Sequence, residues 1–316
     1  SSFSADENQT AIGSISSSDA DDDSLTYSLS GQDASSLAIS SSGVLTFGSA
    51  PDYETKTSYS AIVTVSDGTN IISQGFTISI NNLNDNSPVI SSETSFSADE
   101  NQTSIGSVSA ADADGDSLTY SLSGTDASSL AISSSGVLTF GSAPDYETKT
   151  SYSINVDVSD ETETTTQAAT INITNLNDNN PAISSGASFS SNENQTSIGS
   201  VSASDADGDS LTYSLSGTDA SSLAISSSGV LTFGSAPDYE TKTSYSATAS
   251  ITDGSNAVTQ NLTITVVNLN DNNPVISSSA TFSAAENQTA IGSISASDAD
   301  GESLTYSLSG TDATSL

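Results

Sequence analysis

The stretch Asp52-Tyr53-Glu54-Thr55-Lys56-Thr57-Ser58-Tyr59-Ser60-Ala61-Ile62-Val63-Thr64-Val65 sets two acids and a lysine ahead of an alternating run. Tyr59, Ala61, Val63 and Val65 fall on every second position, the period of a strand with one buried face. Working outward, residues 75–81 place Phe76, Ile78 and Ile80 on one side, and residues 25–29 do the same with Leu25, Tyr27 and Leu29. Shorter apolar runs lie at 2–5, 11–17, 37–40 and 44–47, the last two joined by a Ser41-Ser42-Gly43 turn. Seven short strands predict an all-β, seven-stranded Greek-key sandwich. Ser, Thr, Asp and Asn, which compete with helical backbone bonds, dominate the rest.

The quoted stretch recurs. Asp-Tyr-Glu starts at Asp52, Asp145 and Asp238; Glu-Asn-Gln-Thr starts at Glu7, Glu100, Glu193 and Glu286; Leu-Asn-Asp-Asn starts at Leu83, Leu176 and Leu269. Every step is 93 residues, and residues 112–153 and 205–246 are identical. A fixed period of this kind marks a repeat architecture. It divides the 316 residues into repeats at 1–87, 88–180 and 181–273, and an incomplete fourth at 274–316. The fourth lacks the strands that would cover its apolar face, so it is not expected to form a stable sandwich alone. Continuation of the parent protein, or a neighbouring molecule, would complete it. Pro88, Pro181 and Pro274 stiffen short polar connections, which puts successive domains end to end.

Charge is the other dominant feature. There are 39 acids against three lysines and no histidine, a net charge of −36. Such a chain repels nucleic acid and anionic membranes and attracts cations. Without Cys there is no disulfide framework, and without His or Cys the common catalytic triads and zinc sites are out of reach. No apolar run approaches the ~20 residues of a membrane span. Paired acids could serve glycoside hydrolysis, but here they recur at every domain end, which suits ligation better than a single cleft. The chain is therefore expected not to be an enzyme. Lys56, Lys149 and Lys242 sit in polar surroundings and are expected to be solvated rather than cross-linked. The Asn-Gln-Thr triplets at Asn8, Asn101, Asn194 and Asn287 fit a glycosylation pattern, but abut the acidic motifs and read as chance matches.

The acids cluster in fixed order: a Glu near the repeat start, Asp-x-Glu before the sixth strand, Asn-Asp-Asn in the connection, then Asp-Ala-Asp and an Asp at the end of the sixth strand in the following repeat. Hard cations such as calcium take six to eight oxygen ligands of this kind. In a sandwich these loops meet where one domain ends and the next begins. This five-part constellation resembles the cadherin repeat over the whole chain, and its phrasing resembles the bacterial cadherin-like arrays. The resemblance implies tandem Ig-like, cadherin-like sandwiches in a linear array, with three calcium ions at each junction. Carried over residue by residue, it implies ligands Glu7, Asp52, Glu54, Asn84, Asp85, Asn86, Asp112, Asp114 and Asp160 at the first junction. The second uses Glu100, Asp145, Glu147, Asn177, Asp178, Asn179, Asp205, Asp207 and Asp253. The third uses Glu193, Asp238, Glu240, Asn270, Asp271, Asn272, Asp298 and Asp300. Asp19, Asp21 and Asp67 would serve a junction with a preceding domain. The family linker often opens with Asp, where Asn82, Asn175 and Asn268 stand here. Asp23, Asp116, Asp209 and Glu302 vary among the repeats and read as solvated. The function expected is an extracellular or cell-surface one: a calcium-rigidified spacer of a large bacterial adhesin or matrix protein. The alternative is a subunit of a self-assembling filament, with copies of the chain as partners.

Overall fold

The computed structural model describes residues 1–316. It is all β, apart from single 3₁₀ turns at Ala34–Ser36, Ala127–Ser129, Ala220–Ser222 and Ala313–Ser315. The chain divides into two compact units, Ser1–Thr174 and Asn175–Leu316.

In the first unit, the opening repeat contains β1 (Ser2–Asp6), β2 (Ala11–Ser14), β3 (Thr26–Ser30), β4 (Leu37–Ile39), β5 (Val44–Phe47), β6 (Ser58–Ser66) and β7 (Ile71–Asn81). One sheet has the order β1-β7-β6-β3, the other β2-β5-β4. The pair β1–β7 is parallel, with Ser2 opposite Thr77 and Asp6 opposite Asn81. The β6–β7 hairpin is antiparallel, Ser58 opposite Ser79. The alternation in β6 does what its period predicts: Ala61, Val63 and Val65 are buried, and they meet Phe76, Ile78 and Ile80 from β7. Leu45 and Ile78 are fully buried; each such side chain contributes about 1.5–3 kcal/mol. The second repeat builds an equivalent pair of sheets around its own core of Leu138, Ile154, Val156, Val158 and Ile171.

Three details differ from the sequence expectation. The second strand stops at Ser14 rather than residue 17, because the chain then leaves the sheet. In the second repeat the corresponding stretch shows where it goes: Ala110–Ala111 pairs with Val89–Ile90, a strand not anticipated. The last strand starts at Ile71 instead of residue 75, since ladder pairing runs on to Ile71 opposite Ser66. The lysine expectation is corrected too. Lys56 Nζ pairs with Asp33, whose side chain is only 10% exposed, and lies 4.6 Å from the centroid of the Tyr59 ring. Asp33 also accepts the Ser60 N–H at 2.8 Å. The Lys56 hydrogen bond, then the Ser60 N–H, hold its carboxyl below the ordinary range. Lys149–Asp126 and Lys242–Asp219 repeat the arrangement. The lysine is a structural clasp rather than a free surface charge.

The second unit holds the third repeat, with core residues Leu231, Ile251, Leu262 and Ile264. Its last part, 274–316, forms only the short pair Val275–Ile276 with Ala296–Ser297. Phe282, Tyr306 and Leu308 are exposed there.

Candidate metal centre

The site in the first unit is built from the exit end of the first repeat and the entry end of the second. Glu7 follows β1 and is 2% exposed. Its Oε2 accepts the Tyr53 N–H at 2.7 Å and its Oε1 accepts the Leu83 N–H at 2.8 Å. One carboxylate thus ties the repeat start, the loop before β6 and the exit of β7 together. Glu54, Asp85 and Asp114 stand with it, each offering an oxygen within 4.8 Å of the others. Burial, followed by the charges of Glu7 and Asp114, raises the Glu54 carboxyl. Burial also works against the Asp114 charge, but the Asn86 N–H, the Asn86 amide and the Asp85 N–H outweigh it and keep Asp114 low.

The linker asparagines organise these charges. The Asn86 side-chain amide donates to Asp85 at 2.8 Å and to Asp114 at 2.9 Å. Asn8 donates to Asp85, so this Asn of the glycosylation-like triplet is engaged at the site. Asn82 Nδ2 donates to the Asp114 carbonyl at 2.7 Å, a bond that an aspartate at that position could not make. Asn84 Nδ2 donates to the Asp160 carbonyl at 3.1 Å.

At the entry end, Asp112 Oδ1 accepts the Asp114 N–H at 2.9 Å, and Asp160 Oδ1 accepts the Thr162 and Glu163 N–H groups, both at 2.7 Å. Those two N–H groups, Glu163 foremost, lower the Asp160 carboxyl. Each acid uses one oxygen to shape its own turn and leaves the other over. Asn84 Oδ1, Asp112 Oδ2 and Asp160 Oδ2 are buried with no hydrogen-bond partner. An orphaned buried side-chain oxygen, carboxylate or amide, costs free energy. Three of them beside four crowded carboxylates fit a hard cation, which takes oxygen ligands alone.

Asp112, Asp114 and Asp116 also converge within ligand reach, so Asp116, although exposed, stands with the acidic group. Asp209 does likewise with Asp205 and Asp207. Asp52 differs. Its carboxylate caps its own turn, accepting the Thr55 hydroxyl at 2.9 Å and N–H at 3.1 Å, which lower it in that order. Asp145 and Asp238 bind the hydroxyls of Thr148 and Thr241 in the same way. At the entry end of the first repeat, Asp19 accepts the Asp21 N–H at 2.9 Å and Asp67 the Asn70 N–H at 2.6 Å, the same turns as in the second repeat. Its exit end gives Glu100 the same place as Glu7: the Glu100 carboxylate in the second repeat accepts the Tyr146 N–H at 2.8 Å and is 1% exposed. Glu147 follows Tyr146, and its N–H donates to Asp145 at 3.1 Å.

The second unit repeats both ends. Glu193 accepts the Tyr239 and Leu269 N–H groups at 2.8 and 2.7 Å. Glu193, Glu240, Asp271 and Asp300 converge as their counterparts do. Asn272 donates to Asp271 and Asp300, Asp298 accepts the Asp300 N–H, and Asn270 precedes them in the linker. At its entry end, Asn177 Oδ1, Asp205 Oδ2 and Asp253 Oδ2 are again buried and orphaned, and Asp207 accepts the Asp178 and Asn179 N–H groups.

The model of the bacterial Ig domain matches residues 84–174 and 177–265, each match beginning inside a linker. Solved structures with the same fold include the protocadherin GammaB4 extracellular domain, 23% identical at TM-score 0.73, covering 96% of this chain and 56% of that one. The chain thus spans a little over half of that ectodomain's length. Mouse cadherin-23 EC22-24 is 24% identical at TM-score 0.65, with 84% of this chain and 95% of that one covered. A protocadherin gammaB7 EC3-6 structure, described as a cis-dimer, is 22% identical at TM-score 0.72, with 95% and 83% covered. No curated protein sequence matches. No helix is long and apolar enough to cross a membrane. With two of its repeats matched over more than half of its length and a sandwich shared with cadherin ectodomains, this cadherin-like tandem-repeat chain belongs to the bacterial Ig domain family.

Proposed function

We propose that the chain is a calcium-stiffened, non-enzymatic spacer of an extracellular bacterial adhesin or matrix protein. The observation that carries this reading is the set of orphaned oxygens, Asn84 Oδ1, Asp112 Oδ2 and Asp160 Oδ2, beside the Glu7, Glu54, Asp85 and Asp114 carboxylates. Calcium would supply the positive charge that the cluster lacks. Glu7, Glu54, Asp85, Asn84, Asp112, Asp114 and Asp160 would hold it, and three ions per junction, as in the cadherin resemblance, bring six positive charges to a group of this size. Because ligands come from both sides of a junction, filling it ties neighbouring repeats together. Calcium-dependent melting tests the reading. Since only the folded chain offers the full ligand set, millimolar calcium should raise the melting temperature and chelator should lower it. Identical melting in both would sink the proposal.

A filament subunit is the second reading. The protocadherin gammaB7 EC3-6 structure, which shares the fold, is described as a cis-dimer, and this favours association between copies. Calcium-dependent fibres that lengthen with protein concentration, seen by electron microscopy, would support it. A monomer at all concentrations would exclude it.

A further inference from the structure

The turn between the last two strands follows one Asp-Gly-hydroxyl-Asn pattern in the first and third repeats, Asp67-Gly68-Thr69-Asn70 and Asp253-Gly254-Ser255-Asn256, but the second has Asp160-Glu161-Thr162-Glu163. Glu161 takes the glycine's place with the glycine's backbone, at φ +86 against +95 and +103. A side chain there is strained. Packing supplies no reason for it, because a Cβ at Gly68 or Gly254 would meet nothing within 4 Å. The second change is paired with a third. Glu163 accepts the hydroxyl of Ser87 in the preceding linker, where the other linkers carry Asn180 and Asn273.

These two extra carboxylates flank a site with an independent mark of a ligand. Asp160 is 3% exposed and its Oδ2 has no partner. The Glu163 N–H also donates to Asp160 Oδ1 at 2.7 Å, so the turn that carries both glutamates is built onto that same carboxylate. We propose that Glu161 and Glu163 make the entry end of the second repeat a tighter divalent-cation site than that of the third, so that it fills first of the two. The inference rests on the calcium reading above and adds a ranking to it. A carboxylate about 8 Å from a doubly charged ion strengthens its binding about five-fold at low salt and about two-fold at 0.15 M.

The test is calorimetric calcium titration of the full chain, of the double variant Glu161→Gln with Glu163→Gln, and of Glu161→Gly with Glu163→Asn. Both variants should weaken one class of sites several-fold at low salt and leave the others unchanged, the difference shrinking in high salt. In chelator, the Glu161→Gly chain should melt higher than the parent as the backbone strain is relieved, while its calcium affinity falls. A purely structural role for the turn would not move the two in opposite directions. Calcium binding by the parent with superimposable variant isotherms overturns this ranking and leaves the spacer reading standing. No calcium binding by any of the three overturns both.

Discussion

Glu7 shows how one side chain joins folding to the site. Its two oxygens receive backbone N–H groups from the loop before β6 and from the exit of β7, and the same carboxylate faces Glu54, Asp85 and Asp114. Glu7→Gln keeps the shape but sets an amide NH₂ against one of those N–H donors. The variant should lose about 1–3 kcal/mol of stability in chelator and bind calcium more weakly, which denaturant melts with and without the ion would check. Asp33 works at the same scale. Its folded carboxyl lies below its unfolded value because Lys56 and the Ser60 N–H favour the charged form. Its contribution is therefore present above the unfolded value, near 4, and is lost as pH falls through the lower folded one. Lys56→Met should lower the melting temperature at pH 7, and the gap from the parent should close as pH falls below that range. A gap that stays constant down to pH 2 would contradict the clasp.

At the scale of the element, the alternating runs were readable because one face of each strand is buried. Ala61, Val63 and Val65 in β6, and Phe76, Ile78 and Ile80 in β7, point where their spacing says. Elements that break alternation were not readable. Ile71 and Ile72 are more than two-thirds exposed and carry no face signal, and Val89–Ile90 is too short to show one. The acidic motifs were legible by their recurrence, but their division of labour was not. Asp52 and Glu54 look alike in sequence, yet one caps a turn and the other joins the carboxylate cluster. Asp116 is exposed, in keeping with a solvated reading, and only the fold sets it beside Asp112 and Asp114. The Ser-Ser-Gly turn was legible for a sound reason. Gly136 sits at φ +80, and a Cβ there would lie 2.2 Å from the Val108 carbonyl oxygen. Gly136→Ala should therefore destabilise the second repeat by about 1–3 kcal/mol, from backbone strain and the displaced carbonyl. A urea melt indistinguishable from the parent would count against that packing.

For the whole molecule, most of the net charge of −36 lies in the acidic motifs at the repeat ends, and the strands between are Ser/Thr-rich. Such an arrangement keeps folding local to each of the three full repeats, with its own core, and under the calcium proposal the acidic ends are the part that responds to ions. Stiffness then becomes a property of the solution as much as of the chain. The central claim is that bound calcium fixes neighbouring repeats with respect to one another. Small-angle scattering of the full chain with millimolar calcium and with chelator tests it most directly. The account predicts a single, larger maximum dimension with sharp cross-sectional features in calcium and a broad, variable distribution of dimensions in chelator; superimposable distance distributions under the two conditions would contradict it.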